Sequence, residues 1–175
     1  MTTRAGTSAR AILAALLLAA ALGCSPQAPR EQPTAAPTAA APLASIAITL
    51  RPPGGGRGQR IRVEDAFTAQ TRARGLMFRP HVAPRSGMVF RYPGDSSGGY
   101  WMKNTLVPLS IAFFDRDGRV VRVLDMAPCR RADCPSYDPK VTYAGALEVN
   151  QGFFDEIGLT RGWRIELPSG LPPAT

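Results

Sequence analysis

Apolar residues between Leu43 and Leu167 come in short alternating runs, broken every few positions by glycine or proline. Ile46, Ile48 and Leu50 alternate with small or polar residues, and Ile61, Val63 and Ala66 suggest a second strand, making a hairpin across the turn Gly54-Gly55-Gly56. A period of two marks strands with one face buried. The chain has 17 Gly and 17 Pro, which favour turns, linkers and short strands over long helices. Further strands are predicted over Gly87–Tyr92, Tyr100–Lys103, Tyr143–Val149 and Trp163–Leu167. Ser110–Phe114 and Arg119–Met126 read as a hairpin across Asp115-Arg116-Asp117-Gly118, where glycine supplies positive φ. Thr68 can cap a short helix, Ala69–Arg74, closed by Gly75. A helical turn is predicted over Asn150–Gly158, with Asn150 as its cap. The expectation is a mostly β domain, a compact sheet or barrel of about seven or eight short strands with one or two short helices.

Outside that domain the chain changes character. Arg4 and Arg10 precede the uncharged run Ala11–Leu22. The run is too short to span a bilayer, which takes about 20 apolar residues, and has the length of a signal-peptide apolar region. It ends at Ala21-Leu22-Gly23-Cys24, which resembles a bacterial lipobox. Residues 1–23 therefore read as a lipoprotein signal and Cys24 as the acylated residue. Ser25 follows, and in the lipoproteins it resembles, the absence of Asp there favours the outer membrane. Residues 24–42 are rich in Pro and Ala with no apolar period, a composition that cannot repay its ordering entropy. As a polyproline-like tether it could reach on the order of 50 Å. The domain then occupies 43–167, and 168–175 reads as a tail. The expected address is the periplasmic face of the outer membrane.

The formal net charge of +8 suits anionic partners of several kinds. Export selects anionic lipid or glycan over nucleic acid. Cys129 and Cys134 stand close together, and in an oxidising compartment they are expected to form a disulfide. The short loop limits its entropic contribution to about 2 kcal/mol. No metal or cofactor is expected. A zinc site takes about four ligands, and His81 is the one histidine. Asp115 and Asp117 lack the other oxygen ligands of a calcium loop. A serine hydrolase built on His81 has no G-x-S-x-G elbow.

Two segments are chemically richer than a core requires: Arg74-Gly75-Leu76-Met77-Phe78-Arg79 and Tyr100-Trp101-Met102-Lys103-Asn104-Thr105-Leu106-Val107-Pro108-Leu109. On a strand Trp101 and Lys103 share one face, with Met102 and Asn104 on the other. The four residues Arg74, Trp101, Lys103 and Asn104 can line one site only if the strand ends or bulges near Asn104. Together with Gly87-Met88-Val89-Phe90 and Ala146-Leu147-Glu148-Val149-Asn150-Gln151-Gly152, these segments resemble the domain of unknown function 192 family. Two positions depart from its pattern: Ser110 and Trp163 each stand where the family usually has Asp. The resemblance implies a small β-rich, often exported domain and no established reaction. The residues do not assemble a nucleophile, a base and an orienting partner. A cell-envelope binding module with a small cationic and aromatic pocket is therefore the leading expectation. An envelope enzyme of unknown reaction and an assembly partner of other envelope proteins are the alternatives.

Overall fold

The computed structural model describes residues 42–175. The expected signal segment, Cys24 and the expected tether up to residue 41 lie outside the described residues. The described part is mostly β, with a seven-stranded sheet, two further short strands and two short helices.

Strands β1 (Ser45–Arg51) and β2 (Gln59–Ala66) form the expected antiparallel hairpin, with Ile48 opposite Ile61 and Leu50 opposite Gln59. Ile48, Leu50, Ile61 and Val63 share one buried face with the half-buried Ile46 beside them, whereas Ala66 joins the other side of the sheet. Helix α1 (Ala69–Arg74) starts at a capping box. Thr71 N donates to Thr68 Oγ1 at 3.2 Å, and Thr68 N donates to Thr71 Oγ1 at 3.0 Å. Gly75, at φ 50°, ends the helix, and its N–H donates to Thr71 O. The crossover through α1 lets β3 (Ser86–Ser96) lie parallel to β2, with Ala66 opposite Phe90.

Strand β4 covers only Tyr100–Trp101, shorter than the expected Tyr100–Lys103, and pairs with β7 (Ser136–Tyr137), which the sequence pattern did not reveal. Strands β5 (Leu109–Phe114) and β6 (Val120–Met126) form the second hairpin. Asp115 Oδ1 fixes its turn by accepting from Asp117 N at 3.0 Å and Arg119 N at 2.8 Å. Strand β8 (Tyr143–Asn150) inserts between β3 and β5, antiparallel to both. Helix α2 (Phe153–Ile157) follows, and β9 (Arg164–Glu166) pairs with β1. The α2 N-cap is Gly152 and not Asn150. The Asn150 amide instead donates to the carbonyls of Val82 and Ala83, at 2.8 and 3.2 Å.

The sheet order is β6-β5-β8-β3-β2-β1-β9. It curls into a half-barrel whose outermost strands meet at one end. There Val120 N donates to Trp163 O at 2.7 Å, Gly162 N to Val120 O at 2.8 Å and Ile165 N to Gly118 O at 2.7 Å. Trp163 itself is buried in the apolar core. Ser110 donates to Asp125 Oδ1 at 2.5 Å and accepts from Gly152 N at 3.3 Å, so at this position a hydroxyl links β5, β6 and the approach to α2.

Alternation divides the core into two clusters. Ile48, Leu50, Val63, Val89, Leu147 and Val149 pack with Phe153, Phe154 and Trp163. Met88, Phe90, Ile111, Phe113 and Ala146 pack against Leu76, Met102 and Cys129. Each large apolar side chain so buried contributes about 1.5–3 kcal/mol. Cys129 and Cys134 are joined in a disulfide. Two largely buried ion pairs brace the region around β2. Arg91 forks onto Asp65 at 2.8 and 2.7 Å, and Arg79 pairs with Glu64. Residues 168–175 form no helix or strand. They lie along the domain, with Arg91 Nη1 donating to Pro172 O and Thr175 N to Phe67 O, each at 2.8 Å.

Candidate functional site

The segment after α1 and the segment after β4 are stitched together by backbone. Phe78 N donates to Asn104 O at 2.8 Å, and Asn104 N donates to Cys129 O at 2.9 Å. Phe78 and Asn104 both sit at positive φ, 63° and 59°. Such a conformation is uncommon outside glycine, and asparagine tolerates it better than most residues. A turn at Asn104 follows the end of β4 at Trp101, with Thr105 N donating to Met102 O at 3.0 Å and Thr105 buried.

Between these segments and the sheet lies a cleft of about 40 Å³. Arg72, Arg74, Thr105 and Glu148 contribute polar groups to its lining, and Phe90, Tyr100 and Trp101 contribute aromatic rings. Arg72 is fixed in place. Its Nη1 donates to the carbonyls of Phe67 and Arg91, both at 2.9 Å, and its guanidinium lies over the Tyr92 ring, 4.8 Å from the centroid. Trp101 is 52 % exposed, an unusual degree for so large an apolar ring. Lys103 Nζ stands 5.3 Å from the centroid of that ring, a cation–π contact.

The structure thus brings Arg74 and Trp101 to one cleft and seats Lys103 on Trp101. Asn104 joins through its backbone, and its side chain is not part of the lining. His81 lies elsewhere, beside Glu64 and Arg79. Among the described residues no three His, Cys, Asp or Glu side chains gather in a way that could hold a metal ion.

Glu148, at the edge of the cleft towards the sheet, was not singled out from the sequence. It sits on β8 with buried residues before and after it, and is itself only 5 % exposed. Burial pushes its carboxyl up to about 8, so at neutral pH it is mostly a neutral acid. Tyr100 accompanies it. Burial, then the neighbouring Tyr92, holds the Tyr100 phenol well above the usual range. The two phenol oxygens are 2.7 Å apart, and burial raises Tyr92 to about 12. Both stay protonated under physiological conditions. A charged residue within an apolar strand run was the available signal, since a strand buried on both faces normally reads as continuously apolar.

A family model described as DUF192, an uncharacterised ancient conserved region, matches residues 52–167. No curated protein matches the sequence. Two solved structures are similar. One is a candidate transcription regulator from Sinorhizobium meliloti 1021, at TM-score 0.65 and 29 % identity, covering 73 % of this chain and 97 % of that one. The other is a protein of unknown function from Novosphingobium aromaticivorans DSM 12444, at TM-score 0.64 and 29 % identity, covering 75 % and 94 %.

Proposed function

This chain belongs to the DUF192 family, and we propose that it is a lipid-anchored binding module of the cell envelope that holds an anionic, ring-bearing ligand such as an acidic glycan. One observation carries the reading. A half-exposed Trp101, with Lys103 on its ring, stands at a polar cleft shared with Arg72 and Arg74. Exposed aromatic rings stack on sugar rings, and guanidinium and ammonium groups attract carboxylates or phosphates. The test is a calorimetric titration of the purified chain with trigalacturonate and its methyl ester. The acid should bind more tightly than the ester. Trp101→Ala should weaken it roughly tenfold, the scale of one stacking contact, with the melting temperature nearly unchanged. No binding of the acid, or equal binding by the Trp101→Ala variant, overturns the reading.

The anchor is supported by the positive start, the short apolar run and Gly23-Cys24. Acylation at Cys24 would hold the domain at the periplasmic face of the outer membrane, with the Pro/Ala tether as spacer. More than one acyl chain is needed for stable anchoring. Cells grown with a clickable fatty acid should label the wild type and not Cys24→Ser, which should leave the membrane fraction. Equal labelling of the two sinks this part of the proposal.

A further inference from the structure

Glu148 is a polar side chain more than nine-tenths buried, yet among the described residues its carboxyl has no hydrogen-bond or ion-pair partner. No fully occluded side-chain oxygen of the described residues lacks a partner, so the Glu148 oxygens keep access to the cleft they line. Thr105, also buried, lines the same cleft with its hydroxyl-bearing side chain. An unpaired buried carboxyl is costly, and a ligand group that completes its hydrogen bonding recovers that cost.

We propose that Glu148 recognises a carboxylate on the ligand by donating a hydrogen bond to it within the cleft, while the sugar ring stays at the mouth on Trp101. This rests on the binding reading above and deepens it to acidic sugars. Size supports the division of labour. The cleft holds about 40 Å³, and one water needs roughly 10–15 Å³. A carboxylate of a few heavy atoms fits, and a sugar ring does not. Chemistry supports the carboxylate, because an O–H···O⁻ bond is among the shorter and stronger hydrogen bonds. Arg72 and Arg74 at the same cleft offset the ligand's charge. An ionised Glu148 would instead repel it.

The charged and titratable groups that line the cleft with Glu148 are Arg72 and Arg74 from α1 and Tyr100 from β4, and Tyr100 is in turn neighboured by Tyr92 from β3 and Tyr143 from β8. Tyr92 and Tyr100 both titrate well above Glu148. The ligand carboxylate is ionised throughout the range tested. Affinity should therefore hold from pH 5 to 7 and fall about thirtyfold by pH 9.5, as Glu148 must regain a proton to bind. Binding at pH 9 should take up close to one proton.

The experiment is calorimetric titration of the full chain with trigalacturonate between pH 5 and 9.5, in two buffers of different ionisation enthalpy. Circular dichroism at each pH checks that the chain stays folded. Glu148→Gln keeps a neutral donor and should bind with an affinity flat in pH. A wild type that binds with no pH dependence and no proton uptake overturns the role of Glu148 while leaving the binding module standing. So does a Glu148→Gln variant that retains the wild-type fall above pH 8. A wild type that binds no trigalacturonate at any pH overturns both.

Discussion

Replacing Glu148 with Gln should leave stability unchanged at pH 4 and raise it by roughly 3 kcal/mol at pH 7 and 4–5 kcal/mol at pH 9. In the folded chain the Glu148 carboxyl titrates near 8, against an ordinary value of 4.5, because burial disfavours its charged form. Between those two values the unfolded chain has released the proton and the folded chain still holds it. Folding must then bind a proton, so stability falls as pH rises. The contribution is fully present below about 4.5 and is lost progressively up to about 8, above which the difference is constant. Glutamine carries no such linkage. Asp138 and Glu166 work in the opposite direction, because hydrogen bonds from Lys140 and from Arg51 hold them below their ordinary values. Their contribution appears above the unfolded carboxyl range and is lost in acid, and it cancels between wild type and variant. Urea unfolding of both proteins at several pH values gives the test. Parallel pH profiles would mean that Glu148 is ionised in the folded chain.

The proximity of that carboxyl to the family-like segments was only partly legible in the sequence. Strand alternation reports which face a residue takes, and it located both hairpins. It does not report strand order, so the insertion of β8 between β3 and β5 and the parallel pairing of β2 with β3 came only from the structure. The local chemistry of α1 was legible because Thr68, Thr71 and Gly75 satisfy the helix ends within a few residues. Asn150 misled because its side chain is engaged by carbonyls of residues 82 and 83, far away in sequence. The expected common side of Trp101 and Lys103 corresponds to a cation–π contact, although the strand stops at Trp101. Glu148 was overlooked because Gly145–Val149 are all buried, so no period separates its face from the opposite one.

Gly87→Ala should cost about 3 kcal/mol or more and disturb the environment of Glu148 at the same time. Gly87 lies in β3, between β2 and β8, paired with Val149. A Cβ built there would stand 1.9 Å from the Glu148 backbone oxygen and 3.0 Å from both its carbonyl carbon and Val149 Cγ1. The first obstacle is main chain, so no side-chain rotation relieves it. β3 and β8 must part locally, and the ladder bonds of two fully paired strands are strained or lost. Gly94, in the same strand, is the control. Its Cβ would meet only Arg116 Nη2, at 3.8 Å, so Gly94→Ala should stay within about 0.5 kcal/mol of wild type. Parting the strands also admits water to the Glu148 carboxyl and lowers its pKa towards the ordinary value. The stabilising effect of Glu148→Gln at pH 9 should therefore shrink in the Gly87→Ala background, a non-additivity expected of residues whose backbones touch. Urea unfolding of the four proteins of this cycle, with Gly94→Ala beside them, measures both effects. A Gly87→Ala protein as stable as Gly94→Ala would show that β3 and β8 do not approach as closely as this fold requires.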